Sequence, residues 1–274
     1  MEVVSDTSKK HFATYIFIDL ESTGLPGDQP KITEICLIAV NRYCLENIEY
    51  TDGIPSKQPC FPRVVDKLCI CIDPNKLITP NVSKITGLTN NILQGSKKKQ
   101  FSSDVAQLLK SFIERQEQPV CMVAHNGYNY DFPLLKVEMS SIGCNILDGV
   151  YCTDSLTGMK ALDKVTRGQI SGGYSLSDLF FHFYQKHADN AHSADGDVVT
   201  LIMIFMKKAA DLTEWIDEHS TLFCDITPMY TISESQPSGC PGRFRNNDEG
   251  NKGKESFSDS PQVSLCTSSH KASV

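Results

Sequence analysis

The feature that most constrains this chain is the alternation of short apolar runs with helical patterns between residues 13 and 156. Short apolar runs rich in β-branched residues predict strands, and apolar residues spaced by three and four predict helices. The runs cover 13–20, 33–43, 67–73, 119–125 and 149–156, and the helical patterns cover 102–116 and 132–143. Three strands followed by alternating helices and strands predict an α/β fold, with a mixed β-sheet flanked by helices.

Two further helices are predicted after the last strand, at 174–184 and 197–219. The second is apolar on more than one face between Val198 and Met206, so we expect it to be buried. A hairpin-like start that leads into a parallel continuation resembles the strand order of ribonuclease-H-like sheets. This resemblance implies a ribonuclease-H-like fold.

The composition changes near residue 231. Residues 231–274 are rich in Ser, Gly, Pro and Asn without a periodic apolar pattern, so they cannot bury enough surface to offset the entropy of ordering. We therefore predict a single domain over 8–230 and a low-complexity, disordered tail over 231–274. A chain of 274 residues, 40% of them hydrophobic, is long enough for such a domain with a core.

Charge and hydropathy exclude several classes of protein. A net charge of -7 excludes a generic electrostatic coat for nucleic acid, because the field of the whole protein repels a polyanion. The longest apolar stretch is far shorter than the roughly 20 residues that span a bilayer, and the polar N-terminus lacks the apolar segment of a secretory signal. We therefore expect no membrane anchor and no signal peptide. Eleven cysteines, an odd number without a C-x-x-C pair, indicate reduced thiols inside the cell.

An acidic pair ends the first predicted strand. Asp19 and Glu21 are two residues apart, and side chains at i and i+2 of a strand point to the same face. Two adjacent carboxylates repel each other unless a cation lies between them, and Mg²⁺ or Mn²⁺ is the natural partner of such oxygen ligands. The alternative is an ordinary exposed pair.

Two other segments carry acids beside apolar elements. Asp131 follows the fourth strand and precedes a helix, where it could be a metal ligand or an ordinary N-cap. Asp197 would lie in the first turn of the last helix, where the helix dipole favours a negative charge. His192 would lie on the loop before that helix, as a functional group or as an ordinary surface residue.

Taken together, four carboxylates and one histidine match the needs of two-metal phosphodiester hydrolysis. Two cations about 3.5 to 4 Å apart activate a water and stabilise the leaving oxygen in that reaction. A histidine, with an ordinary pKa of about 6.5, removes the proton of the water. The combination is far more specific than any of its members.

The segments FIDLESTGLP, ITGLT, VAHNGYNYDFPLL, YSLSDL, HSADGD, WIDEH and ITPMY follow one another in the chain. In this order they resemble the three-prime repair exonucleases, which are DnaQ-like 3′-to-5′ exonucleases with four acids and a histidine. The resemblance covers residues 12–230 and implies an enzyme that releases 5′-mononucleotides from DNA 3′ ends. It implies two Mg²⁺ ions, replaceable by Mn²⁺, and a histidine general base. The implied metal ligands are Asp19, Glu21, Asp131 and Asp197, and the implied base is His192.

The resemblance also implies substrate contacts, to which Asp197 belongs as well. Leu25 would wedge against the terminal base, while Glu21 and the backbone of Ser22 would hold the 3′ hydroxyl. Ile85 would pack on a base, and Tyr130 would contact the scissile phosphate. Leu25 and Ile85 could instead be core residues. Apolar and stacking contacts tolerate any base, so the trimming would be independent of sequence.

Three functions follow from this reading. The favoured one is a metal-dependent 3′-to-5′ deoxyribonuclease that acts on single-stranded or frayed duplex DNA. The alternatives are an RNA 3′ exonuclease of the same fold and a catalytically silent module that binds nucleic-acid ends, although a silent site should have lost at least one of its acids. The resemblance further implies a nuclear or cytosolic homodimer, formed by edge-strand pairing for which Leu68–Ile72 is the candidate strand.

Overall fold

The computed structural model describes residues 10–50, 58–166, 168 and 170–231. Its strands are β1 (Thr14–Ser22), β2 (Ile32–Asn41), β3 (Asp66–Cys71), β4 (Val120–Ala124), β5 (Tyr151–Asp154) and β6 (Thr221–Leu222). They form one sheet in the order β3-β2-β1-β4-β5-β6. The pairs β1–β2, β2–β3 and β5–β6 are antiparallel, whereas β1–β4 and β4–β5 are parallel. The predicted mixed sheet of ribonuclease-H-like type is therefore confirmed.

Helices cover both faces of this sheet. Those in the described residues are α1 (Arg42–Glu46), α2 (Pro80–Thr86), α3 (Asn90–Gly95), α4 (Ser103–Glu114), α5 (Asp131–Ser141), α6 (Ser155–Val165), α7 (Leu176–Tyr184), α8 (Ala194–Met206) and α9 (Ala209–His219). One core lies between the sheet and α4 and α5. The other lies between the sheet and α6 to α9. The predicted α/β class, with helices flanking the sheet, is thus confirmed.

The central strand β1 contributes to both cores by alternation. Tyr15 and Phe17 pack under α8, while Ile16 and Ile18 pack against α4 and α5, and all four are at most 1% exposed. Each large apolar side chain buried in this way stabilises the fold by about 1.5–3 kcal/mol. The strand cannot slip by one residue without exchanging its two faces. This fixes the direction of every side chain at its carboxyl end.

Two predicted elements differ from the structure. The single helix predicted over 197–219 is wrong, because the chain turns at Lys207 and Lys208 and forms α8 and α9. The N–H groups of these lysines donate to carbonyls only three residues back, at 3.1 and 2.9 Å, and both lysines are half-buried. The predicted fifth strand also ends early, at Asp154. There the Asp154 side chain accepts the N–H of Leu156 and starts α6.

The buried character predicted for the first part of that long helix is confirmed, since most of α8 is inaccessible to solvent. Within the described part of the chain, no helix is long and apolar enough to cross a membrane. The tail predicted over 231–274 lies, apart from Thr231, outside the described residues, so its boundary stays a prediction.

Candidate active site

Asp19 and Glu21 lie at the carboxyl end of β1, on the face that α8 covers. They continue the series of Tyr15 and Phe17, whose side chains pack in the core beneath that helix. Strand alternation therefore directs both carboxylates to one face, as the sequence predicts. The register between β1 and β2 shifts at Glu21 and Ser22, and irregularities of this kind redirect side chains at the ends of strands.

The head of α8 supplies another carboxylate. Ser193 caps the helix by accepting the N–H of Gly196 at 3.2 Å, and Asp197 lies in the first turn. Its Oδ2 accepts the N–H of His192 at 3.2 Å. His192 lies on the preceding loop with its side chain exposed and a φ of 67°, a left-handed conformation that is unfavourable for a residue with a side chain. The bond to Asp197 helps to keep the histidine beside the carboxylates.

Three carboxylates converge at this point. One oxygen from each of Asp19, Glu21 and Asp197 lies within 4.8 Å of the other two. Burial raises the pKa of Asp19 well above its usual range, and the charges of neighbouring carboxylates add to this. Burial and the nearby carboxylates raise the pKa of Glu21 to about 8. Burial also raises the pKa of Asp197.

This arrangement fits a hard divalent cation. Among the described residues, no lysine or arginine forms an ion pair with any of the three acids. Lysine and arginine therefore offset none of the repulsion among these acids within the described part of the chain. Hard divalent cations take carboxylate oxygens as ligands and favour the ionised form of each acid. The donor set and its electrostatics both match a divalent-metal site.

Asp131 lies beside the cluster. It is the first residue of α5, whose N-cap is Tyr130 without a side-chain cap bond, so the N-cap interpretation of Asp131 is wrong. Its Oδ1 instead accepts the N–H of Leu20 in β1 at 3.2 Å. Burial raises the pKa of Asp131 to about 7, and its charge in turn raises the pKa of Asp19. The structure thus brings three of the four predicted ligands together and keeps the fourth within electrostatic reach.

Glu34 is a further acid at this site, and the sequence analysis missed it. It lies opposite Glu21 in the β1–β2 register, and its charge contributes to the raised pKa of that residue. Its Oε2 accepts the N–H of Ala194 at 3.0 Å, so it attaches the head of α8 to β2. An acid inside an otherwise apolar strand was the signal that could have revealed it.

The residues predicted to contact the substrate lie on three segments: Ser22 and Leu25 at and after the end of β1, Tyr130 before α5, and Ile85 in α2. The hydroxyls of Tyr130 and Ser22 are 2.6 Å apart, and that of Tyr130 donates to the carbonyl of Gly24 at 2.5 Å. Leu25 and Ile85 are 71% and 57% exposed. The alternative that these two are core residues is wrong, and both apolar side chains are accessible to a ligand.

Comparison with known proteins gives a consistent family. A family model described as Exonuclease matches residues 16–205. Three-prime repair exonuclease 1 of Bos taurus is 41% identical over 226 residues, which are 81% of this chain and 72% of that protein. Three prime repair exonuclease 2 of Mus musculus is 43% identical over 221 residues, which are 79% of this chain and 92% of that protein.

Solved structures share the fold at low sequence identity. The nuclease domain of 3′hExo, a DEDDh family member bound to rAMP, has a TM-score of 0.55 at 14% identity and covers 74% of this chain and 95% of its own. An E. coli ExoI–ssDNA complex has a TM-score of 0.56 at 16% identity, and the match covers 76% of this chain and 43% of the ExoI chain. With the family match and the relatives above 40% identity, the chain belongs to the exonuclease family, in its group of three-prime repair exonucleases.

Proposed function

We propose that this protein is a divalent-metal-dependent 3′-to-5′ deoxyribonuclease that removes nucleotides from DNA 3′ ends, single-stranded or frayed. The observation that carries the proposal is the convergence of Asp19, Glu21 and Asp197 within 4.8 Å, with His192 bonded to Asp197. The names of relatives that are 41% and 43% identical support the DNA 3′ end as the substrate.

The three converging acids, together with Asp131, would hold two Mg²⁺ ions, for which Mn²⁺ can substitute. When bound, such ions polarise the phosphodiester and lower the pKa of a bound water. His192 would accept the proton of the attacking water on a ring nitrogen. Its place on an exposed loop lets the imidazole approach the scissile bond and then return the proton to solvent.

Two exposed apolar side chains would position the DNA end. Leu25 would wedge against the terminal base and Ile85 would pack on a base, because both project into solvent. Glu21 and the backbone of Ser22 would bind the 3′ hydroxyl. Tyr130, whose hydroxyl is already placed by Ser22 and Gly24, would contact the scissile phosphate. None of these contacts reads a base edge, so hydrolysis would be independent of sequence.

The experiment that tests this proposal is competition between DNA and RNA oligonucleotides of the same sequence, with Mg²⁺ and two active-site variants. We expect DNA to be shortened first, and both Asp197→Asn and His192→Ala to lose hydrolysis while they remain folded. Preferential shortening of RNA would establish the RNA exonuclease instead. Tight binding without turnover would establish the silent end-binding module.

We further propose that the protein forms a homodimer through β3. This strand lies at an edge of the described sheet, and Leu68–Ile72 falls on it and the residue after it. An unpaired edge strand can add the same strand of a second copy. Sedimentation equilibrium should give twice the chain mass. Cys69→Pro should give the monomer mass, because proline cannot donate a ladder hydrogen bond and the N–H of Cys69 faces the free edge. That direction follows from the alternation of an antiparallel ladder, in which the N–H of Ile72 bonds Thr33 of β2. A wild-type monomer would contradict the proposal.

A further inference from the structure

Asp154 lies at the end of β5, next to the loop 125–130 that joins β4 to α5. Its side chain is buried, at 1% exposed, and its carboxylate accepts hydrogen bonds from three backbone N–H groups. Oδ1 accepts the N–H of Asn126 at 3.0 Å and that of Leu156 at 2.9 Å. Oδ2 accepts the N–H of Tyr128 at 3.3 Å. One carboxylate therefore fixes the loop at two points and caps α6 at a third.

This loop needs such support because its backbone conformation is unusual. Asn126 has a φ of 61°, a left-handed conformation that is uncommon outside glycine and that asparagine adopts more readily than most residues. A Cβ at Gly127 would lie 2.5 Å from the Cβ of Ala124 and 2.8 Å from the Phe132 ring, so the chain passes very close to its neighbours. Backbone N–H groups in a bend of this kind have no ladder partner and must find another acceptor. Asp154 is that acceptor.

We propose that Asp154 is a positioning residue for the active site, which fixes the backbone of loop 125–130 and thereby the places of Tyr130 and Asp131. Tyr130 and Asp131 lie two and three residues after Tyr128, the last loop residue that Asp154 binds. The Asp131 side chain then reaches β1 at Leu20. The inference rests on the proposed function, because it assigns Asp154 to the same hydrolytic site although its own contacts are to backbone N–H groups.

Asp154 is also the N-cap of α6, and one substitution separates the two roles. In Asp154→Ser the hydroxyl remains a good N-cap for the N–H of Leu156. A single short hydroxyl cannot accept from both Asn126 and Tyr128. The variant should therefore retain the helix and release the loop.

A matched control is Asn41→Ala. Asn41 is the N-cap of α1 and accepts the N–H of Tyr43 at 2.9 Å, but it pairs with Thr14 at the opposite end of β1 from the site. This variant loses a helix cap without touching the loop. It measures what a loss of stability alone does to activity.

The test measures kcat and KM on single-stranded DNA with Mg²⁺, well below the melting temperature, and hydrogen exchange of the peptide that covers loop 125–130. For Asp154→Ser we expect kcat to fall about tenfold to a hundredfold, the effect of a small displacement of catalytic groups. KM should change by less than about threefold, since the loss is in the transition state. The loop amides should exchange faster. Asn41→Ala should keep the wild-type kcat and loop exchange.

A wild-type kcat, or unchanged loop exchange, in folded Asp154→Ser would overturn the proposal. If that variant does not fold, kcat and loop exchange are measured on Asp154→Asn. Its amide keeps one acceptor oxygen but places an N–H donor opposite the N–H of Tyr128, so the bond to Tyr128 is lost. Failure of the proposed function is distinguishable, because a wild-type protein that does not hydrolyse DNA still reports through hydrogen exchange whether Asp154 fixes the loop.

Discussion

Replacing Glu21 by glutamine should make the metal-free protein more stable, although Glu21 belongs to the active site. In the folded protein, burial and the charges of Asp197 and Glu34 raise the pKa of Glu21 from its usual 4.5 to about 8. An acid with a raised pKa stabilises the fold fully only below pH 4.5. That stabilisation is lost as the pH rises towards 8, because the folded state must bind a proton that the unfolded state has already released.

The expected size follows from these two values. Each pH unit between them costs the folded state about 1.4 kcal/mol, so at pH 7 the cost for Glu21 is about 3 kcal/mol. Water that reaches the partly exposed carboxylate screens part of this and leaves about 2 kcal/mol. Glutamine keeps the size of the side chain and removes the titration.

The assay is urea unfolding in EDTA at several pH values between 5 and 8. In Glu21→Gln the free energy of unfolding should exceed that of the wild type by about 2 kcal/mol at pH 7, and the difference should shrink towards pH 5. Glu49→Gln, the same substitution at an exposed glutamate, controls for the change in net charge. Added Mg²⁺ should stabilise the wild type more than Glu21→Gln, because the variant lacks one of the ligands.

Two results would refute this reasoning. One is that Glu21→Gln is less stable than the wild type in EDTA at pH 7, which would mean that the folded protein stabilises the ionised carboxylate instead of raising its pKa. The other is a stability difference that does not change between pH 5 and 8.

Further predictions concern packing and the metal. Arg42→Met should lower the free energy of unfolding in urea by about 3 kcal/mol, because Arg42 bonds both oxygens of the buried Asp217 at 3.0 and 3.1 Å; unchanged stability would contradict this. In Gly196→Ala the new Cβ would lie 2.1 Å from the carbonyl of Asn190, so kcat should fall by about tenfold or more as the loop before α8 shifts. The control Gly95→Ala has no atom within 4 Å of its new Cβ and should keep the wild-type kcat. Equal kcat values for the two variants would show that the close packing of Gly196 does not hold the loop in place. Mg²⁺ or Mn²⁺ should raise the melting temperature and EDTA should reverse the rise; a melting temperature independent of metal would exclude the site.

Local patterns were enough for part of the site. The positions of Asp19 and Glu21 follow from the alternation of a strand, and that of Asp197 follows from the first turn of a helix. These depend on neighbours within a few residues. The contact of Asp131 with Leu20 spans 111 residues, and no local pattern encodes it, so a cap and a metal ligand looked equivalent.

The features that the sequence did not predict also depend on contacts between residues far apart in the chain. Glu34 matters because its carboxylate meets Ala194, 160 residues away. The long helix divides at Lys207 and Lys208, although its apolar pattern continues into α9. The exposure of Leu25 and Ile85 is likewise decided by which surfaces the fold leaves uncovered, and apolar character alone favours core and cleft equally.

The most direct test of the central claim is digestion of single-stranded DNA labelled at its 5′ end, with Mg²⁺, with EDTA and with the Asp197→Asn protein. We predict a ladder of progressively shorter labelled products that requires both the metal and Asp197. An oligonucleotide that stays intact with Mg²⁺, or a label released at once as a mononucleotide, would contradict a 3′-to-5′ exonuclease.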